Sequence, residues 1–113
     1  MSSRFAITLE LRVTGPDRSG SFDEVIDCYA KLESGDERLL DCAWSFTDNQ
    51  HHSYVTVELT IQADDEAAAY DLARGSVRAA IQDAGGYTPG WEDSAQDPEM
   101  VVYRLASEEA VPV

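Results

Sequence analysis

The sequence predicts an α+β domain whose elements follow the order strand, helix, strand, strand, helix, strand. Three observations lead to this prediction. Three stretches alternate apolar and polar residues with a period of two, and a short stretch near the end is rich in valine and tyrosine, as in strands. Two further stretches repeat apolar residues at the spacing of an amphipathic helix. Clusters of turn-forming residues separate most of these stretches.

The first strand is predicted over residues 4–13 and is followed by a helix. Five alternating apolar residues share one face of this strand: Phe5, Ile7, Leu9, Leu11 and Val13. Glycine, proline and aspartate residues at 15–20 end it. The helix is expected from about 21 to 33, because Ser21 and Glu24 have the spacing of a capping box and apolar residues then follow at helical spacing.

A β-hairpin is predicted after this helix. Its first strand alternates over residues 40–47, with one apolar face formed by Leu40, Cys42, Trp44 and Phe46. The polar segment 47–52 is typical of a turn between strands. The second strand alternates over residues 54–61, with the apolar face formed by Val55, Val57, Leu59 and Ile61.

A second helix and a last strand complete the domain. Either Asp64 or Asp65 can cap the helix, and its apolar stripe consists of Leu72, Ala73, Ser76, Val77, Ala80, Ile81 and Ala84. Gly85 and Gly86 are typical of a helix end. A connection over residues 87–99 leads to the last strand at 100–105, and residues 106–113 are expected to form a frayed tail.

This order of elements resembles the ferredoxin-like βαββαβ arrangement, which implies an antiparallel four-stranded sheet with two helices on one face. The resemblance covers residues 4–105, within a single domain that spans residues 1–113. Because this fold carries many unrelated functions, the resemblance implies no activity.

The charge of the chain excludes several kinds of partner. Twenty-two acidic residues face eight basic ones, for a net charge of −14. Direct binding to a nucleic-acid backbone requires basic residues that displace counterions, so neither DNA nor RNA is expected as a partner. Anionic membrane surfaces are disfavoured for the same reason. The acidity has two interpretations: a solvated surface that keeps the protein soluble, or a surface that docks on a basic partner or imitates nucleic acid.

The sequence contains no apolar run long enough to span a bilayer and no signal-peptide pattern at its start. A cytoplasmic location is therefore expected. Cys28 and Cys42 are too few for a secreted disulfide framework and are interpreted as buried reduced thiols. A disulfide between them, or a nucleophilic thiol, stays open as an alternative.

No motif in the sequence predicts a catalytic residue, a cofactor or a metal. His51 and His52 are adjacent, so on an extended chain their side chains point in opposite directions and chelate poorly. A closed zinc site also needs about four ligands. A glycine-rich phosphate loop and a nucleophile elbow are both absent. The two histidines are interpreted as exposed turn residues.

Two regions are candidates for contact with a partner or a ligand. Trp91 follows Pro89 and Gly90 in a loop that also carries Tyr87, and it either covers one end of the core or binds a partner. The second region is the polar face of the predicted sheet, with the candidates Glu10, Arg12, Tyr54, Thr56 and Glu58. Such a face can be solvated, pair with its twin in a homodimer, or line a small-molecule groove.

The chain also resembles small proteins of high-GC actinobacteria and their phages. The resemblance rests on seven arginines against one lysine, on the acidity, and on the segment 84–92, Ala-Gly-Gly-Tyr-Thr-Pro-Gly-Trp-Glu, between a helix and a last strand. The predicted function is a non-enzymatic protein-binding or regulatory domain that forms a homodimer. One alternative is a small acidic phage-type inhibitor or nucleic-acid mimic that binds a host protein. The other is a small-molecule enzyme or ligand binder of the dimeric α+β barrel type.

Overall fold

A computed structural model describes residues 3–15, 18–48, 53–86 and 101–113 of the chain. These ranges form the elements β1 (Ser3–Thr14), α1 (Arg18–Gly35), β2 (Leu39–Asp48), β3 (Ser53–Ala63), α2 (Glu66–Asp83) and β4 (Val102–Pro112). The predicted α+β class and the predicted order of elements are therefore confirmed.

The four strands form one antiparallel sheet in the order β2-β3-β1-β4. Strands β1 and β3 lie in the centre and pair along almost their whole length, from Ser3 opposite Ala63 to Val13 opposite Ser53. Strands β2 and β4 are the two edges. Because β2 pairs with β3, the predicted hairpin is confirmed.

One hydrophobic core lies between the sheet and the two helices. The predicted apolar faces of β1 and β3 are buried, with no core side chain more than 7% exposed. Helix α2 contributes Ala69, Ala73, Val77, Ala80 and Ile81 to the same cluster. Helix α1 contributes Val25 and Tyr29, so both helices cover one face of the sheet. Burying each large aliphatic side chain stabilises the fold by about 1.5–3 kcal/mol.

The start of α1 differs from the prediction. The helix begins at Arg18, so Ser21 lies within its first turn and the predicted capping box is wrong. The Ser21 hydroxyl instead shares a hydrogen bond of 2.8 Å with the hydroxyl of Tyr103 on β4. At the start of α2 the predicted cap is confirmed, because the Asp65 carboxylate accepts a hydrogen bond from the Ala68 amide at 2.8 Å.

The alternation along β2 is interrupted by a shift in register between Leu39 and Asp41. Leu39 is buried opposite Ile61, whereas Leu40 is 38% exposed, so its predicted place on the inner face is wrong. A bulge leaves one residue without a partner, and this residue cannot be identified from periodicity alone. The predicted inner face of the rest of the strand is confirmed, with Cys42, Trp44 and Phe46 half-buried against the core.

The last strand is longer than predicted. Strand β4 continues to Pro112, which lies opposite Phe5 of β1, and the Val113 amide donates a hydrogen bond to the Arg4 carbonyl at 2.9 Å. The predicted frayed tail at residues 106–113 is therefore wrong. Its polar sequence carries no strand pattern, and pairing with β1 supplies the hydrogen bonds that order it.

Candidate functional site

Five of the predicted contact residues lie together on the face of the sheet that points away from the helices, which we call the outer face. Across β1 and β3, Arg12 lies opposite Tyr54, and Glu10 lies opposite Thr56. Glu58 lies one pair further along, opposite Thr8. The other two candidates, Tyr87 and Trp91, lie outside the residues that the structure describes.

The outer face carries charged side chains and a small hollow. Arg12 lies opposite Arg104 of β4, and neither side chain forms an ion pair with a described residue. Like charges in this cross-strand position repel each other. Glu10 accepts a hydrogen bond of 3.1 Å from the Ser107 hydroxyl. The hollow found on this face measures 180 Å³ and is lined by Ala6, Thr8, Asp41, Ala43, Glu58 and Thr60, together with Ile7 and Leu59.

The β2 edge, which we define as strand β2 with the backbone side that faces away from β3, carries a cluster of aromatic side chains. Phe22 of α1 stacks on Phe46 with ring centroids 4.9 Å apart and meets Trp44 edge-on at 6.0 Å. Tyr29 meets Trp44 edge-on at 5.5 Å. Phe22, Trp44 and Phe46 are only half-buried, because no strand of the described part of the chain lies next to β2 on its outer side.

Tyr29, a member of this cluster, brings a polar hydroxyl into the core. The Tyr29 hydroxyl is buried and makes no hydrogen bond to a described residue, although the side chains of Ser76 and Cys42 lie next to it. Burial raises the pKa of Tyr29 well above its ordinary value. Burial, together with the nearby charge of Glu33, raises the pKa of the Cys42 thiol to about 12.

The two cysteines do not form a disulfide. Cys28 on α1 and Cys42 on β2 are both free and half-buried, so the disulfide left open by the sequence is not formed. Because Cys42 stays protonated at neutral pH, it is a poor nucleophile. The geometry therefore argues against a catalytic role for Cys42.

A groove that the sequence did not reveal lies between the two helices, and we call it the interhelical groove. Its volume is 410 Å³ and its walls are formed by Lys31, Leu32, Gly35, Asp36, Leu39, Asp71, Leu72, Gly75, Ser76 and Ala79. An adjoining hollow of 320 Å³ shares Leu72. The signal in the sequence was Gly75, a glycine inside a predicted helix, where glycine is unfavourable.

Within the described ranges, no group of three or more His, Cys, Asp or Glu side chains is arranged to hold a metal ion. His51 and His52 lie outside these ranges. Neither helix that the structure describes is long and apolar enough to cross a membrane.

No protein-family model and no curated protein matches this chain. The candidate surfaces are therefore interpreted from their own chemistry.

Proposed function

We propose that this protein is a ferredoxin-like, non-enzymatic protein-binding domain that forms a homodimer through the β2 edge. The sheet order β2-β3-β1-β4, with both helices on one face, supports the ferredoxin-like assignment. The observation that carries the dimer is an unprotected edge strand. Strand β2 contains neither proline, lysine nor arginine, although such residues commonly protect an edge from pairing. Its register shift and its two acids, Asp41 and Asp48, lie toward its ends, so residues 42–47 carry none of these protective features.

The opposite edge of the sheet is protected in several ways. Strand β4 contains a register shift near Ala106, the charged residues Arg104, Glu108 and Glu109, and Pro112. Bulges, charges and proline all discourage edge-to-edge pairing. The contrast between the two edges therefore points to β2 as the strand that accepts a partner.

A twofold axis through the middle of β2 would pair this strand with its copy and join two four-stranded sheets into one. The backbone groups of β2 that face away from β3 would then bond to the partner strand, and the Cys42 amide would exchange its present bond of 2.9 Å to the Asp41 carboxylate for one of these. The half-exposed rings of Trp44 and Phe46 would meet those of the partner, and an aromatic pair contributes about 0.5–1.5 kcal/mol beyond the area that it buries. The interface would thus complete both the hydrogen bonding and the burial that β2 lacks in one chain.

The charge of the chain predicts how the strength of dimerisation depends on salt. Each chain carries a net charge of −14, and β2 itself contributes Asp41 and Asp48 without a basic residue. Association therefore brings like charges together, and salt should strengthen it by screening the repulsion. Dimerisation through a basic-to-acidic contact would show the opposite dependence.

The oligomeric state of matched variants tests this proposal. We expect a dimer of the wild-type protein by size exclusion with light scattering, tightening as salt is raised. Ser45→Lys places a charge in the middle of the β2 edge and should give a monomer. Ser107→Lys, the same change at an exposed serine of the other edge strand, should remain a dimer.

Three results would contradict the proposal. They are a strictly monomeric wild-type protein at high concentration, a dimer that survives Ser45→Lys, and a dimer that is lost only in Ser107→Lys. Circular dichroism of both variants separates loss of the dimer from loss of the fold.

The other functional hypotheses stay predictions. Acidic residues occur on all six elements that the structure describes, so no single face supports a nucleic-acid mimic. The hollow on the outer face is smaller than the roughly 300 Å³ of small-molecule pockets. The contact candidates Tyr87 and Trp91, and an origin in actinobacteria or their phages, also stay predictions. Two cysteines without a disulfide support the predicted cytoplasmic location.

A further inference from the structure

The interhelical groove lies on the opposite side of the molecule from the outer face, and one chain forms it alone. We propose that this groove binds a small apolar anion, an alkyl or aryl carboxylate. The apolar part of the ligand would lie on Leu32, Leu39 and Leu72, and its carboxylate would lie at the ammonium group of Lys31.

The groove has the size and the lining of a ligand site. Its 410 Å³ falls within the roughly 300–1,000 Å³ of small-molecule pockets, which are mostly apolar with a few polar groups. Besides the three leucines, its walls include Gly35 and Gly75, and a Cβ atom at either glycine would meet nothing within 4 Å. A ligand in the groove can therefore contact the helix backbone at both glycines.

Contacts among the described residues do not explain Gly75. It lies in the middle of an 18-residue helix, where glycine is less favourable than alanine. Close packing does not require it, because the space next to its Cα is empty. A ligand that lies against the helix backbone would explain why this position lacks a side chain.

The charges at the rim select an anion. Arg38 binds the Asp36 carboxylate through two nitrogens, at 3.0 and 2.8 Å, and so neutralises it. Arg74 pairs with Asp71 at 3.0 Å, and its guanidinium also pairs with Glu108 of β4 at 3.5 Å. The ammonium group of Lys31, the sole lysine of the chain, forms no ion pair with a described residue. A positive charge therefore remains at the rim of an apolar groove, although the chain as a whole is strongly acidic.

Other acids near Lys31 do not cancel this charge in the structure. Asp27 lies one helical turn before Lys31 and forms no ion pair with it. Glu33 acts on the pKa of Tyr29 and Cys42, which places its charge on the side of α1 that faces the sheet.

The wall of the groove also offers one polar contact. The Ser76 hydroxyl donates a hydrogen bond to the Ala73 carbonyl at 3.1 Å, so its oxygen is left able to accept another. The same side chain lies beside the Tyr29 hydroxyl, which is buried and without a hydrogen-bond partner among the described residues. Of these two side chains only Ser76 lines the groove, and its oxygen can accept a hydrogen bond from an occupant.

Titration with decanoate, at physiological ionic strength and below its micellar concentration, tests the site. In amide-resolved NMR spectra we expect saturable shifts at residues around Gly35 and Gly75. Decanol, which lacks the charge, should bind more weakly, by about 1.5-fold to fivefold, the range expected for one exposed ion pair.

Matched variants measure separately what the groove and the charge of Lys31 contribute to decanoate binding. Gly75→Leu fills the groove, should retain the fold because leucine favours helices, and should weaken decanoate binding at least about tenfold. Lys31→Gln should lower the affinity for decanoate to that for decanol. Arg104→Gln removes an exposed cation on the outer face instead and should change neither affinity.

The absence of saturable binding, shifts confined to another surface, or equal affinity of wild-type protein and Gly75→Leu would overturn the site. Equal affinity of the wild-type protein for decanoate and decanol would overturn the assignment of Lys31. An equal loss of affinity in Lys31→Gln and Arg104→Gln would also overturn it.

Discussion

Two buried tyrosines differ in one respect that governs their contribution to stability. The Tyr103 hydroxyl forms a hydrogen bond of 2.8 Å with the Ser21 hydroxyl. The Tyr29 hydroxyl has no hydrogen-bond partner among the described residues. A buried hydroxyl without a partner costs about 1–3 kcal/mol, and a typical hydrogen bond contributes about 1 kcal/mol.

The matched substitutions Tyr29→Phe and Tyr103→Phe should therefore have different effects. We expect Tyr29→Phe to leave the free energy of unfolding unchanged or to raise it by about 1 kcal/mol. Tyr103→Phe should lower it by about 1 kcal/mol, because Ser21 loses its partner. Urea unfolding measures both, and an equal loss in the two variants would show that Tyr29 is hydrogen-bonded in solution.

The raised pKa of Cys42 predicts loss of stability at alkaline pH. The unfolded thiol loses its proton near its ordinary pKa of 9.0, whereas the folded thiol keeps it up to about pH 12. Between these values the folded state binds more protons, so stability falls as the pH rises. Tyr29, whose pKa is also raised, adds to this loss above its ordinary pKa of 10.0.

Urea unfolding measured from neutral to alkaline pH checks this expectation. Cys42→Ala should lose less stability per pH unit than the wild-type protein just above pH 9.0, where the thiol contributes more than the two buried tyrosines, whose ordinary pKa is 10.0. Identical pH profiles of the two proteins would contradict the assignment of the alkaline loss to Cys42.

At the scale of elements, two glycines have opposite roles: Gly75 in the middle of α2 and Gly86 just after this helix. A Cβ atom at Gly75 would meet nothing within 4 Å. A Cβ atom at Gly86, just after α2, would lie 2.7 Å from Cγ2 of Ile81 and 3.1 Å from Cε1 of Tyr103. Gly86 therefore allows the turn after α2 to pack against the core.

Alanine at each position should change stability in opposite directions. Gly75→Ala should raise the free energy of unfolding by about 0.5–1 kcal/mol, because alanine favours the helix. Gly86→Ala should lower it by about 1–3 kcal/mol through overpacking. Thermal unfolding measures both changes, and destabilisation by Gly75→Ala would show that a side chain does clash in α2.

At the scale of the whole molecule, repulsion between acidic residues opposes the compact state. The net charge is −14, while the ion pairs that the structure shows are exposed or half-exposed and weak, such as Asp36 with Arg38 and Arg74 with Asp71. Long-range repulsion should therefore outweigh these local attractions.

The melting temperature should consequently rise as sodium chloride is added, since salt screens the repulsion. At fixed salt it should also rise with protein concentration if the β2 dimer forms, because only the folded chain associates. Calorimetry measures both dependences. A melting temperature that falls with salt would show that the ion pairs contribute more than the repulsion.

The sequence by itself determined the order of the elements and the inner faces of β1 and β3. Their strict alternation has one interpretation, because shifting a strand by one residue would expose its whole apolar set. It also placed the five contact candidates of the outer face together, since residues of one parity share a face. The cap at Asp65 was predictable because capping is a local interaction.

Only the tertiary structure decided the features that depend on residues distant in the chain. The strand at 106–112 exists because β1 offers its backbone, and Ser21 lies within α1 with Tyr103 as its hydrogen-bond partner. The exposure of Leu40 follows from a bulge against β3. The free β2 edge and the interhelical groove arise from how whole elements pack. Local periodicity carries no information about these contacts, because each depends on a partner that the fold brings from elsewhere in the chain.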